Sequence, residues 1–384
     1  MSISINYVGF DESTGYGVAA ANFVKALQSE NVDVNFIKIK PGHTEKGGIF
    51  AEDHSINNKN YHLAIIHTVP EYYPYWFKFE KAKNENCKVW GYTAWETDKI
   101  PGHWPDFLNQ MDGIFVPSHW NKHVFQKCGV TTRIEVLPHI SEFEGKCSTS
   151  VINKELQSVF NKVGDHFLFY SIGVWSERKA PWHLLQAFTE EFAEEENVSL
   201  ILKTGKEDWV NFRRRWQRLF RKEVGSSSQA FQKAIRSYKP HDNIYHIDSE
   251  LTNDDMANLH KRGNCFISCT RGEGWGMGSY EATWFGKAVA ITPYGGVIDY
   301  LPKEYAYLFD YRLIPVNCNY GKASYSADQN WADVILEDAK RKMRHLFENS
   351  QERNNKGVLL RDYMMRNYSS AHIVKQFMEV FTNG

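Results

Sequence analysis

The sequence predicts an α/β fold made of two nucleotide-fold domains, on three observations. The chain has 384 residues, more than one core of ordinary size requires. Residues 263–301 read as strand, glycine-rich loop, helix and strand. The N-terminal end shows the same order, with a strand at 3–8, Gly15 and Gly17 in a turn, a helical stretch, and the apolar run VDVNFI.

Taken in order, the first strand is ISINYV, and apolar residues at 18, 20, 24 and 27 give the helical period that follows the glycine turn. The full G-x-G-x-x-G is missing, so a dinucleotide reading has little support. YHLAIIHT (61–68) is a buried strand ending at His67, on the side where parallel sheets bind ligands. A hydrogen-bonded structural histidine is the competing reading. KVWGYT (88–93) leads to Trp95, Glu96, Thr97 and Asp98, read as an exposed tryptophan beside two carboxylates, suited to sugar hydroxyls. A helix cap by Thr97 or Asp98 is the alternative. GIFVPS (113–118) and RIEVLPH (133–139) complete a domain ending near residue 150, and the polar stretch 145–165 reads as linker and first connection.

The second half opens with the strand HFLFYSIGV, then Trp175–Lys179, then the helix PWHLLQAFTEEFAEE. Arg178 and Lys179 are paired cations at a strand-to-helix turn, suited to a diphosphate. A solvated charged turn is the other reading. Lys203 stands on the strand SLILKT as a further candidate. Residues 207–224 read as a helix with Trp209, Phe212, Trp216, Leu219 and Phe220 on one face and six Arg or Lys residues on the rest. Such a helix suits peripheral contact with an anionic membrane, or a solvated basic face. GSSSQ (225–229) reads as a flexible break, NIYHI as a strand, and Thr252 to Asp255 as a capping box opening the next helix.

Residues 263–301 carry the chemistry. Gly272, Gly274, Gly276 and Gly278 alternate with Glu273, Trp275 and Met277, so backbone can approach a ligand closely. The loop runs into a helix N-terminus, which presents amide donors and the positive end of the dipole to a phosphate. Glu273 and Glu281 are suited to hydroxyls, one of a sugar and the other of a ribose. A tight turn followed by an acidic residue that favours a helix start remains open on these residues alone.

The stretch resembles the E-x7-E signature of glycosyltransferase family 4, through Glu273, Gly274, Gly276, Glu281, Ala282, Gly286, Val289, Thr292, Gly295 and Gly296. Gly278 and Ala288 replace prolines of that pattern. W-E-T-D followed by Pro101 to Trp104 is similar to a subgroup of the family. The turn at 173–179 is similar to its G-R-L-x-x-x-K-G segment, with Lys179 on the lysine, Val174 in place of the arginine, and Arg178 as the neighbouring cation.

The resemblance implies a GT-B architecture, with two Rossmann-like domains facing across a cleft. Residues 1–150 would bind acceptor, with 365–384 packing back on them, and 151–364 would bind donor. It implies a retaining hexosyltransferase that uses a nucleoside diphosphate sugar and a glycan or glycoconjugate acceptor, without a metal or other cofactor. Glu273, Lys179 and Arg178 would be catalytic. Glu281, Gly274, Trp275, Gly276, Met277, Gly278, Gly15, Gly17 and Lys203 would contact donor. His67, Trp95, Glu96 and Asp98 would contact acceptor. A sugar phosphorylase, a nucleotide-sugar epimerase or hydrolase, and a non-catalytic sugar- or nucleotide-binding protein are the alternatives on this scaffold.

A net charge of −1 gives no electrostatic case for nucleic acid. Six scattered cysteines without a C-x-x-C fit a reducing compartment, and Cys265 and Cys269 read as buried thiols. No apolar run of membrane-spanning length occurs. The expectation is a cytoplasmic protein, soluble or peripherally membrane-associated.

Overall fold

The computed structural model describes residues 4–12, 14–50, 61–145, 152–210, 225–238, 241–318 and 323–382. The chain divides into two compact units, Met1–Glu144 with Arg366–Gly384, and Gly145–Met365.

The first unit is built on β1 (Ser4–Phe10), β2 (Asp33–Lys40), β3 (Ile49–Phe50), β4 (Leu63–His67), β5 (Lys88–Tyr92), β6 (Gly113–Val116) and β7 (Ile134–Val136). Their order is β3-β2-β1-β4-β5-β6-β7, parallel except for the short β3. β4 is buried along its whole length, as expected of a parallel strand covered on both faces. Helices α1 (Gly15–Ser29), α2 (Tyr73–Lys83), α3 (Trp104–Leu108) and α4 (His119–Lys127) connect the strands. The chain's last helix, Ser370–Thr382, buries Ile373, Val374 and Phe377 in the same core as Phe23, Trp90 and Phe115.

Gly15 and Gly17 are not in a turn. They form the first turn of α1, because the Thr14 hydroxyl caps the helix by accepting from the Gly17 amide at 3.0 Å. A Cβ on Gly17 would lie 1.6 Å from the Asp11 carbonyl oxygen, so the glycine serves a close passage of backbone over backbone.

The second unit begins with α5 (Lys154–Val163), capped by Asn153, where the sequence suggested linker. Its sheet comprises β8 (Phe167–Ile172), β9 (Val198–Lys203), β10 (Ile244–Ile247), β11 (Cys265–Ser268), β12 (Ala288–Ile291) and β13 (Tyr307–Leu308). The order β10-β9-β8-β11-β12-β13 is parallel throughout and doubly wound, so the chain changes direction between β8 and β11. Helix α6 (Pro181–Glu191) follows β8. A small antiparallel pair, β14 (Tyr311–Pro315) with β15 (Asn330–Val334), lies outside the parallel sheet.

Two further expectations change. Residues 225–229 are ordered: Ser226 and Gln229 form a reciprocal capping box that starts the Ser227–Ile235 helix. Of the basic segment 207–224, residues 211–224 lie outside the described residues, and Glu207 and Asp208 make single bridges to Ser226 and Trp175 instead of entering a helix. The Thr252–Asp255 box is present as read.

Candidate functional site

In a doubly wound sheet, ligands bind beyond the carboxyl ends of the strands where the winding reverses. In the second unit that place lies between β8 and β11. The loop after β8 carries Arg178 and Lys179, and the loop after β11 carries Glu273, about ninety residues later in the chain. Folding joins them. Lys179 Nζ lies 2.5 Å from Glu273 Oε1, and Arg178 Nη1 donates to Glu273 Oε2 at 3.1 Å and to the Gly272 carbonyl at 2.7 Å.

The Glu273 side chain is only 7% exposed, and the two cations are 20% and 19% exposed. Burial works to raise the Glu273 carboxyl, but the Lys179 ammonium and then the Arg178 guanidinium hold it below the ordinary carboxylate range. Two cations thus converge on one buried carboxylate. The Met277–Trp284 helix starts beside it from Gly276, in the left-handed region at φ 85°, with no side-chain cap on its first amides. Paired cations beside a helix N-terminus are groups suited to an anion.

The backbone around Glu273 is held from the opposite side. Its amide donates to the Tyr294 carbonyl at 3.2 Å, and its carbonyl accepts from the Gly296 amide at 2.8 Å. Gly295 has φ 97°, and a Cβ there would fall 2.1 Å from the Glu273 carbonyl oxygen. Only glycine permits that approach. The loop carrying the cations has its own constraint, since Ala180, the residue before α6, is left-handed at φ 41°.

Arg271, which the sequence reading did not single out, ties this region together. Its amide donates to the Arg178 carbonyl at 2.7 Å and its Nη1 to the Glu177 carbonyl at 3.2 Å. Its Nε and Nη2 donate to Asp333 Oδ1 on β15, at 3.0 and 2.9 Å, and its carbonyl accepts from Ala332 at 2.9 Å. The hairpin thus backs the cation loop. No local pattern signals this, because Arg271 and Asp333 are 62 positions apart.

Glu281 is buried on the helix, 3.6 Å from Nε2 of His260, whose Nδ1 meets the Tyr170 hydroxyl at 2.9 Å. Trp275 is 3% exposed, and its ring packs on Tyr300 at 4.7 Å and Tyr280 at 5.2 Å, so the indole belongs to the core. Gly274, Met277 and Gly278 are partly exposed. Lys203 ends β9 with Nζ donating to the Thr204 carbonyl at 2.6 Å, and burial lowers its ammonium. Lys179 and Lys203 line one small crevice at the carboxyl ends of β8, β9 and β11. Cys265 and Cys269 are buried free thiols, and burial pushes Cys269 up to about 12.

In the first unit the winding reverses between β1 and β4, and His67 ends β4 there. It is fully buried, stacks on Tyr92 at 4.0 Å and 11°, and its Nδ1 meets the Tyr7 hydroxyl at 2.7 Å. Nε2 has no hydrogen-bond partner among the described residues. Burial, then neighbouring His139, holds the imidazole well below its ordinary value and therefore neutral. Tyr16, in the first turn of α1, ties to the end of β5 through the Ala94 carbonyl and amide at 2.9 and 3.1 Å.

Trp95 is not exposed. It is buried at 6%, with Nε1 donating to Thr97 Oγ1 at 2.8 Å and to the Lys99 carbonyl at 2.7 Å. Its indole N–H is therefore engaged within the loop. Nor does Thr97 or Asp98 cap a helix, since the next one, α3, starts at Trp104 after His103. Glu96 and Asp98 remain partly exposed.

No family model matches the sequence, and no curated protein matches it. Solved structures do. HepE from Anabaena, in complex with UDP and glucose, superposes with a TM-score of 0.67 at 10% identity, covering 100% of both chains. Sucrose-phosphate synthase from Thermosynechococcus elongatus gives 0.70 at 11% identity, over 99% of this chain and 98% of that one. A glycosyltransferase from Rickettsia africae gives 0.70 at 13% identity, over 100% and 98%. At such identities the likeness is one of fold, and the fold is GT-B.

Proposed function

We propose that the protein is a retaining glycosyltransferase that moves a hexosyl group from a nucleoside diphosphate sugar, UDP- or GDP-linked, to a hydroxyl of a glycan or glycoconjugate. The observation that carries this reading is the buried cluster of Glu273 with Arg178 and Lys179 at the winding reversal of the second sheet. The UDP and UDP-glucose bound by HepE lend it support, as does the E-x7-E resemblance.

In this reaction the bond between the anomeric carbon and the diphosphate oxygen breaks, and the acceptor oxygen bonds to that carbon on the same face. The acceptor's proton goes to the departing diphosphate oxygen, so the protein need not supply a strong base. Arg178, Lys179 and the amides near Met277 and Gly278 offset the charge that develops on the leaving group. Arg178 takes the part of the arginine absent at Val174. Glu273 orients both cations and accepts from a donor-sugar hydroxyl. Glu281 accepts from the ribose. Charge on the diphosphate is met by side chains and helix dipole, and we assign no metal to the step.

The test is thermal unfolding with UDP, GDP, ADP and dTDP in EDTA, for wild type and Glu281→Gln. A ligand at about 100 times its dissociation constant stabilises by roughly 2.7 kcal/mol, a few degrees in melting temperature. The expectation is that one nucleotide raises the wild-type transition and that the variant loses most of the shift. No shift with any nucleotide would remove the metal-independent donor site.

A further inference from the structure

The glycine loop of the second unit runs from Glu273, whose carboxylate meets the two cations, to Gly276, where the Met277–Trp284 helix begins. One segment seats both ends of it. The Gly296 amide donates to the Glu273 carbonyl at 2.8 Å, and the Tyr300 hydroxyl donates to the Gly276 carbonyl at 3.0 Å. Tyr300 closes the short helix Val297–Tyr300, which follows the glycine turn directly. Between these two ties the Trp275 ring lies on the Tyr300 ring, with centroids 4.7 Å apart and planes inclined by 43°. Gly276 is also confined from the side, since a Cβ there would fall 2.8 Å from Val297 Cγ1.

The Gly276 carbonyl meets the Tyr280 amide at 3.0 Å, the Ser279 hydroxyl at 2.8 Å and the Tyr300 hydroxyl. Ser279 Oγ and Tyr300 Oη lie 2.7 Å from each other, and both residues are buried. Each hydroxyl has a single proton. Two protons serve three contacts inside this triangle, so neither hydroxyl is left with a proton for a ligand. Tyr300 therefore acts through the backbone. The first amides of a helix are often satisfied by an N-cap side chain, and none caps this one. Here the helix start is gripped through a carbonyl instead, without occupying the amides of its first turn.

We propose that Tyr300 is a positioning residue of the donor site. Its hydroxyl, with that of Ser279, clamps the Gly276 carbonyl and so aims the first amides of the helix at a nucleoside diphosphate. The ligand named here rests on the glycosyltransferase reading, whereas the clamp stands on the geometry of the loop. Gly276 sits at φ 85°, and a glycine has more conformations within reach than any other residue. Without the clamp the amides turn more freely, and binding includes the cost of ordering them again. With it, the amides are set before the ligand arrives.

The test is Tyr300→Phe, which removes the hydroxyl and keeps the ring, alongside Ser279→Ala. Thr283→Val is the matched control, because it deletes another buried hydroxyl of the same helix, one that donates to the Tyr280 carbonyl at 2.6 Å and not to Gly276. Two quantities are measured on the full chain. One is hydrogen exchange of the Tyr280 amide without ligand, which reports how often the first turn opens. The other is calorimetric affinity for whichever of UDP, GDP, ADP and dTDP stabilises wild type. We expect Tyr300→Phe and Ser279→Ala each to speed the exchange and to weaken the nucleotide at least about fivefold, and Thr283→Val to do neither. Unchanged exchange, an equal change in Thr283→Val, or full nucleotide affinity in Tyr300→Phe overturns the proposal. Faster exchange in the variants, with no nucleotide bound by wild type, keeps the clamp and sinks the donor-site reading on which its ligand rests.

Discussion

Glu273 is an ion-pair partner of both Arg178 and Lys179, and this decides what its loss should do. Glu273→Gln leaves Arg178 and Lys179 facing each other with no carboxylate between them. Removing one partner of a buried ion pair costs about 3–5 kcal/mol, and residual exposure of the cations moves the expectation toward the low end. The pH dependence has a definite sign. The folded carboxyl is held below its ordinary value of about 4.3, so its contribution is complete above that pH and disappears as pH falls through the lowered value. Urea unfolding of wild type and variant should therefore differ most at pH 7 and converge in acid. His67 acts in the other range. Burial keeps it neutral in the fold, whereas unfolded histidine binds a proton near pH 6.5, so stability should fall below that pH by about 1.4 kcal/mol per unit. His139, pushed to about 3 by burial, adds to the same slope, and His67→Gln should make it shallower.

At the scale of elements, the site depends on loops that other elements hold. The turn at Gly295 and Gly296 grips the Glu273 backbone, and Gly295→Ala places a methyl group where the Glu273 carbonyl now lies. For the transfer reaction proposed above, we expect at least about tenfold loss with the overall fold retained, since displacement of a reacting group by an ångström costs up to about a hundredfold. Circular dichroism and donor turnover on one sample would check it. Arg271 joins the cation loop to the β14–β15 hairpin through Asp333, whose carboxyl, despite burial, is held low by that guanidinium. The capping box at Ser226 and Gln229 was written plainly as S-x-x-Q, yet a run of serines after glycine reads more readily as flexible linker. Ser226→Ala should cost about 1 kcal/mol, measurable by urea titration.

Across the whole molecule, two sheets repeat one winding, and each candidate site lies at a reversal. The last helix belongs to the first unit and places Phe377 against Phe23 at 5.4 Å and Phe115 at 5.6 Å. Phe377→Ala should destabilise that unit by about 3–5 kcal/mol while leaving in place the nucleotide-dependent shift proposed for the second unit. Differential calorimetry with and without nucleotide would show whether the loss is confined in this way.

Much of the fold was legible because it is local. Apolar runs of strand length, helical periods and glycine turns repeat within short windows, and a parallel sheet buried on both faces leaves continuous hydrophobic strands in the sequence. The same holds for the glycine loop with Glu273 and Glu281, and for Arg178 and Lys179, which sit in compact patterns. What lay beyond reach was contact between distant residues. W-E-T-D carries no mark that Trp95 turns inward to Thr97 and Lys99, and glycines at 15 and 17 do not announce that Thr14 caps a helix through them. Local backbone preference acts over a few residues, so the sequence by itself determined the α/β class and marked Arg178, Lys179, Glu273 and Glu281 as candidates for a phosphate or a hydroxyl. Which of them share one charge cluster, which are buried, and that Arg271 and Asp333 hold the loop in place were decided only by tertiary packing, because burial and ion pairing depend on neighbours brought together by the sheet and not by the chain.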